Sequence, residues 1–465
     1  MRLSTLALSS AVIALVAGSA AAQETPRHFA ALVAGYKASF LCSGTFDAGQ
    51  SEAQITADDL GLIYPEYREP IAKLPATIDR EAKTVSVPFA PDMPPRIAAF
   101  RPNLGCTTLP IGAGPDAIAK LPTLKVSAPA STDGLAWPMG DRDAVAKLPK
   151  AKAKAVDALV ASAFDHATYG QGSETTAAIV VKDGKIVAER YREGYDLHTP
   201  QRTWSAGKSL AGTLIGIGVR DGLLKVDEPA PVPEWRKPAD PRGQITLANL
   251  LHMGSGLYAE KAGNRTDQIY VGGATVAEKA AAQPLEAAPG TRWQYANDDT
   301  LLALRALRSA VGDDDRYLAF PFQELFWKIG MRRTYPETDW NGDFIMSSQV
   351  WTTARDLARF GLLYQNDGVW NGERIIPSEW VKYVATPAPA QPDKGPGYGA
   401  QFWIFGPKDG LPEGTYAARG NRGQYVFIVP SKKLVVVRRG FDAVGPGGEQ
   451  FDVARFTKDV IAAVE

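Results

Sequence analysis

The sequence predicts an α+β protein built on one antiparallel sheet that draws strands from both ends of its main domain. Three observations carry this expectation. Two apolar runs, 176–181 and 186–191, flank Asp183-Gly184, the strongest short hairpin signal in the chain. Strand-like runs then return only near the C-terminus. Between them lies a mostly helical stretch, without the regular strand–helix alternation of a doubly wound parallel sheet.

Taken in order, the first 22 residues read as a secretory signal peptide. Arg2 supplies one positive charge, residues 3–18 are largely apolar, and Ala20-Ala21-Ala22 offers small residues for cleavage before Gln23. An uncleaved N-terminal helix is the alternative. The mature chain has no other stretch that reads as a membrane span, so an exported, soluble protein, periplasmic or secreted, is expected. Residues 23–149 form an accessory N-terminal region. A helix over 24–43 opens it, strands follow at 84–89 and 96–100, and recurrent proline from 65 onward excludes long helices. Its last part, 129–149, reads as an extended linker. Cys42 and Cys106 are the only cysteines, and an even count in an oxidising compartment points to one disulfide rather than two buried thiols. The tetrapeptide Ala-Lys-Leu-Pro recurs at 72, 119 and 146, but its spacing is unequal and no solenoid follows.

The main domain, 150–465, opens with an Ala-rich helix over 150–164 and then the Asp183-Gly184 hairpin. Helices are expected at 205–219, 299–311 and 356–364. Strands at 398–405, 423–429 and 433–438 follow, and an amphipathic helix over 450–464 ends the chain.

Composition excludes several function classes. The chain has 465 residues, 51 basic and 51 acidic side chains and 45% hydrophobic residues, so it is globular and carries no basic field for nucleic acid. Four scattered histidines give no zinc-type spacing, and neither metal nor other cofactor is expected.

Three short motifs could carry chemistry. In Ser205-Ala206-Gly207-Lys208 a serine hydroxyl lies at a helix start, with a lysine three residues on and on the same face. Partial burial and positive neighbours can lower a lysine pKa enough for it to act as a base. The pattern alone is common by chance, and a surface serine with a solvated lysine is the bland alternative. Tyr295-Ala296-Asn297 supplies a tyrosine able to relay a proton and an amide able to bind a carbonyl or Lys208. A rival Tyr364-Gln365-Asn366 is read as a helix end and turn. Asn421-Arg422-Gly423-Gln424 enters a strand, where a glycine allows close substrate approach and the next N–H could complete an oxyanion hole.

The ordered set resembles the serine β-lactamase and penicillin-binding-protein family, and within it the class C β-lactamase-related hydrolases. Segments 245–257, 353–361 and 370–377 resemble family segments as well, and the likeness spans roughly 165–465. It implies a β-lactamase/DD-peptidase-like sheet flanked by helices, with a helical subdomain. It also implies Ser205 as nucleophile, Lys208 as general base, Tyr295 as proton partner and Asn297 as a substrate-side amide. The N–H groups of Ser205 and Gln424 would form the oxyanion hole, with Gly423 and Arg422 beside the substrate. The family's Lys-Thr-Gly or His-Thr-Gly is replaced by Asn421-Arg422-Gly423, which departs from β-lactam carboxylate recognition. His252 and Ser255 read as loop residues. Trp204, Tyr258, Trp293 and Trp351 are candidate pocket walls, with packing in the core the alternative. The expected function is hydrolysis of a small ester or amide through a Ser205 acyl-enzyme. The alternatives are a D-Ala-D-Ala carboxypeptidase or β-lactamase on the same machinery, and a non-catalytic envelope-binding protein.

Overall fold

The computed structural model describes residues 26–259, 265–444 and 451–465. The expected signal peptide lies outside the described residues. The N-terminal helix spans Pro26–Phe46 and is long and apolar enough to cross a membrane, which the sequence reading overlooked. Most of that apolar stretch is buried, because the helix packs on a four-stranded antiparallel sheet: β1 (Thr77–Asp79), β2 (Thr84–Val87), β3 (Arg96–Arg101) and β4 (Gly105–Thr108). The short outer strands β1 and β4 were missed. Cys42 on the helix and Cys106 on β4 form a disulfide, with Cα atoms 6.1 Å apart.

Residues 121–149 have little regular structure, but they are not a loose tether. The Trp137 indole is buried and donates to the Gly184 carbonyl at 2.9 Å. Asp133 pairs with Arg333, and Asp141 accepts from Arg355 and Arg359. The segment is therefore strapped to the main domain.

The main sheet has seven antiparallel strands. Its members are β5 (Thr175–Lys182), β6 (Lys185–Tyr191), β12 (Gly397–Tyr398), β13 (Trp403–Phe405), β14 (Thr415–Gly420), β15 (Gln424–Val429) and β16 (Leu434–Gly440), in the order β12-β13-β14-β15-β16-β5-β6. Strands from both ends of the domain thus share one sheet, as expected. A three-stranded sheet joins β7 (Gln201–Arg202), β8 (Thr334–Pro336) and β9 (Val350–Thr352), and β10 (Val369–Trp370) pairs with β11 (Glu373–Arg374) in a hairpin. The expected strand over 398–405 is two strands broken by a turn, and β14 was not foreseen.

Both faces of the seven-stranded sheet are covered, which explains why its inner strands read as continuous apolar runs. On one face Ile179, Val426, Val435 and Val437 pack against the Ala354–Gln365 helix and its neighbours. On the other, Val180, Phe427 and Val436 meet the helices Lys150–Ser162 and Val453–Val464. Each such buried side chain contributes about 1.5–3 kcal/mol. The helix Val453–Val464 turns Val453, Phe456, Val460 and Val464 inward at helical spacing.

Candidate active site

Ser205 lies on a single 3-10 turn, Trp204–Ala206, that runs straight into the helix Gly207–Arg220. The residue before it, Trp204, has φ of +48°, a conformation costing a bulky side chain on the order of 1–3 kcal/mol. Its ring is held by the Arg202 guanidinium, 3.9 Å from the ring centroid, and by an edge contact with Tyr64. This strained corner fixes where the serine hydroxyl points.

The lysine and its partners come from three elements. Lys208 Nζ is 3.3 Å from Ser205 Oγ, 2.6 Å from Asn297 Oδ1 and 2.9 Å from the Ser347 carbonyl. Three acceptors match the three N–H bonds of an ammonium, and loss of one proton frees a lone pair for the serine. Lys208 is 1% exposed, and burial lowers its pKa to about 7. Asp298 and Asp299 oppose that shift, while Arg202 adds to it. Asp299 is itself raised to about 7 by burial and accepts from Ser255 Oγ at 2.6 Å. Tyr295 stands over the pair, with its ring centroid 4.9 Å from Lys208 Nζ. Burial raises its phenol to about 12, against a hydrogen bond with Ser205 that pulls the other way, so the hydroxyl stays protonated at neutral pH. Asn297 opens the helix Asn297–Val311, which explains how one short motif delivers both tyrosine and amide.

Ser205, Tyr295 and Asn297 open on a cavity of about 510 Å³. One rim is the end of β14 with the residue after it: Arg419, Gly420 and Asn421. A Cβ on Gly420 would sit 2.1 Å from the Thr203 carbonyl and 2.9 Å from the Ala206 nitrogen, so only glycine lets this strand end abut the nucleophile turn. Trp403 and, from the N-terminal region, Tyr36 and Tyr64 line other walls.

The remaining sequence-predicted residues fall elsewhere. Arg422, Gly423 and Gln424 do not line the cavity. Arg422 is buried and donates to the carbonyls of Asp58, Asp59, Phe441 and Asp442. Gln424 donates to the Arg422 and Gly440 carbonyls and accepts from Arg439. Gly423 has φ of +82°, and a Cβ there would strike the Arg438 guanidinium, so its role is to close the β14–β15 turn. The residues that line the cavity there, Arg419 to Asn421, lie at the end of β14, just before the sequence-predicted ones. Of the four candidate wall aromatics only Trp204 lines the cavity; Trp351 packs near Phe40, and Trp293 lies behind Tyr295. Ser255 is committed to Asp299. Tyr364 is buried against Thr213 at the end of its helix, as expected. Among the described residues, Asp133, Asp141 and His198 bring ligand atoms within 4.8 Å, but the arginines named above already engage both carboxylates.

Fold and site together define a β-lactamase/transpeptidase-like protein. The β-lactamase family profile matches residues 154–438, and the chain belongs to that family, whose members are serine hydrolases. A 6-aminohexanoate-dimer hydrolase of Paenarthrobacter ureafaciens is 25% identical over 291 residues, covering 57% of this chain and 72% of that protein. A Bacillus anthracis structure provisionally named for the same activity aligns over 74% of this chain and 88% of its own, at 21% identity and a TM-score of 0.54. A family VIII carboxylesterase aligns over 68% of this chain and 99% of its own, at 14% identity and a TM-score of 0.53. At such identities the structural likenesses bear on fold alone.

Proposed function

We propose that the protein is an exported hydrolase that cleaves an ester or amide bond through an acyl-enzyme on Ser205. The observation that carries this is the buried Lys208 amine, 3.3 Å from Ser205 Oγ and with its pKa lowered to about 7. Neutral Lys208 takes the Ser205 proton as Oγ bonds to the substrate carbonyl carbon. The oxyanion rests between the N–H groups of Ser205 and Asn421, in place of the Gln424 expected from sequence. Tyr295 passes a proton to the departing alcohol or amine and regains one from Lys208, which is neutral again once the carbonyl has re-formed and that bond has broken. Water then adds to the acyl carbon, Lys208 accepts its proton, and Ser205 leaves with a proton to release the acid. Asn297 holds Lys208 in place. No step needs a cofactor.

The segment beside Ser205 reads Ala418-Arg419-Gly420, with no lysine at its head, which favours an ester or open amide over a β-lactam. The signal-like N-terminus and the disulfide support export. Treatment with a fluorophosphonate probe and a labelled penicillin, beside Ser205→Ala, tests the reading. Fluorophosphonate labelling that Ser205→Ala abolishes is expected. Labelling by neither reagent would leave a binding protein, and penicillin labelling alone would favour the cell-wall enzyme.

A further inference from the structure

We infer that the N-terminal region completes the catalytic cavity with an aromatic subsite, and that Tyr64 is its specificity-determining residue, selecting a ring-bearing group on the substrate. The inference rests on the hydrolase reading. The family profile begins only at residue 154, so nothing in it accounts for this wall. Tyr64 is half-buried and lines the same cavity as Ser205. Its ring meets Trp204 edge-on, with centroids 6.4 Å apart and planes at 83°. Tyr295 and Trp403, themselves 5.5 Å apart, line the same cavity. A flat group bound in this cavity would meet several aromatic rings, whose edges and faces ring-bearing partners satisfy better than alkyl chains do.

The position of Tyr64 is built rather than incidental. Tyr36, on the disulfide-bearing helix, stacks on Phe40 at 4.3 Å and meets Tyr67, which in turn meets Tyr64 edge-on at 6.3 Å. Arg68 donates to the Ile63 and Val444 carbonyls, and Val444 N donates to the Leu62 carbonyl at 3.1 Å. The turn carrying Tyr64 is thus tied to the main sheet's end. Its hydroxyl accepts from Asn421 Nδ2 at 3.4 Å, one residue beyond the glycine that abuts the nucleophile turn.

The test compares kcat/KM for methyl esters of a phenyl-terminated acid and a straight-chain acid of similar length. The wild-type enzyme should prefer the phenyl ester. Tyr64→Ala and Tyr64→Leu should lower that preference about five- to tenfold, while Tyr64→Phe keeps it. Fluorophosphonate labelling of Ser205 confirms that each variant is folded, with leucine covering the case in which alanine is not. A wild-type enzyme without the preference, or an unchanged ratio in a labelled Tyr64→Ala or Tyr64→Leu, would overturn the subsite. An enzyme that neither labels nor hydrolyses either ester would instead overturn the hydrolase reading itself.

Discussion

The Ser205–Lys208 turn and the β14–β15 turn sit against each other, yet only the first announces its chemistry in sequence. In the first, both reacting groups lie on one helical turn, so a spacing of three residues places them on one face. In the second, the groups that face the serine are fixed by strand order and by which residue starts the turn. Gly420 and Gly423 are both glycines at the mouth of one hairpin. One abuts the nucleophile turn, and the other accommodates a buried arginine. Local spacing encodes a pair within an element, whereas contact between elements is encoded only by the whole sheet.

The largest expected effect sharpens the first half of this comparison. Ser205→Ala and Lys208→Ala should each lower kcat by about a thousandfold or more, and the double variant should be scarcely worse than either. Additive losses in single-turnover kinetics would mean that the two groups do not act as a unit.

Next come the two ends of the hairpin. Gly420→Ala forces a methyl group against the Thr203 carbonyl, and a displacement of an ångström at the nucleophile turn should cost about a hundredfold in kcat/KM. Gln424→Ala should instead act on stability. It removes bonds to two buried carbonyls and Arg439, a loss of about 2–3 kcal/mol in chemical unfolding, with kcat/KM nearly kept in the folded fraction. The reverse pattern would give the Gln424 side chain a part in the reaction.

The same distinction explains what was legible. The shared antiparallel sheet followed from the Asp183-Gly184 hairpin and two C-terminal apolar runs, because strands buried on both faces leave long apolar signatures. β14 escaped because Thr415–Gly420 holds Ala417, Ala418 and Arg419, residues without strong strand character; pairing with β13 and β15 makes the strand. The cavity wall at Tyr36 and Tyr64 escaped for a related reason. Its residues lie in a region that looked accessory, more than 140 positions before the serine.

A smaller effect concerns the pH profile. Lys208 must be neutral to act, so kcat/KM should rise with pH through about 7. Arg202 is buried, lines the cavity and adds positive potential that helps keep Lys208 unprotonated. Its Nη2 is held by Ser348 Oγ at 2.8 Å, so it is a positioning residue rather than a proton donor. Arg202→Met should move the acid limb to higher pH, and Arg202→Lys should largely restore it. A limb that stays in place in Arg202→Met would assign the depression of Lys208 to burial alone.

The smallest effect belongs to the second Tyr-x-Asn, and it tests whether position in the fold outweighs motif. Tyr364 is a fully buried phenol and Tyr295 a partly buried one, and each lies near the helix that follows Ser205. Tyr295 reaches the serine and lysine. Tyr364 instead shares a hydrogen bond of 2.7 Å with Thr213 Oγ1, two turns further along that helix, and packs on Phe402. Tyr364→Phe should therefore cost about 1 kcal/mol of stability and leave kcat/KM within about twofold, while Tyr295→Phe should lower kcat by about a hundredfold. Equal losses in the two variants would show that the second tyrosine shares in the proton transfer, a result that the path between Thr213 and Lys208 would then have to explain.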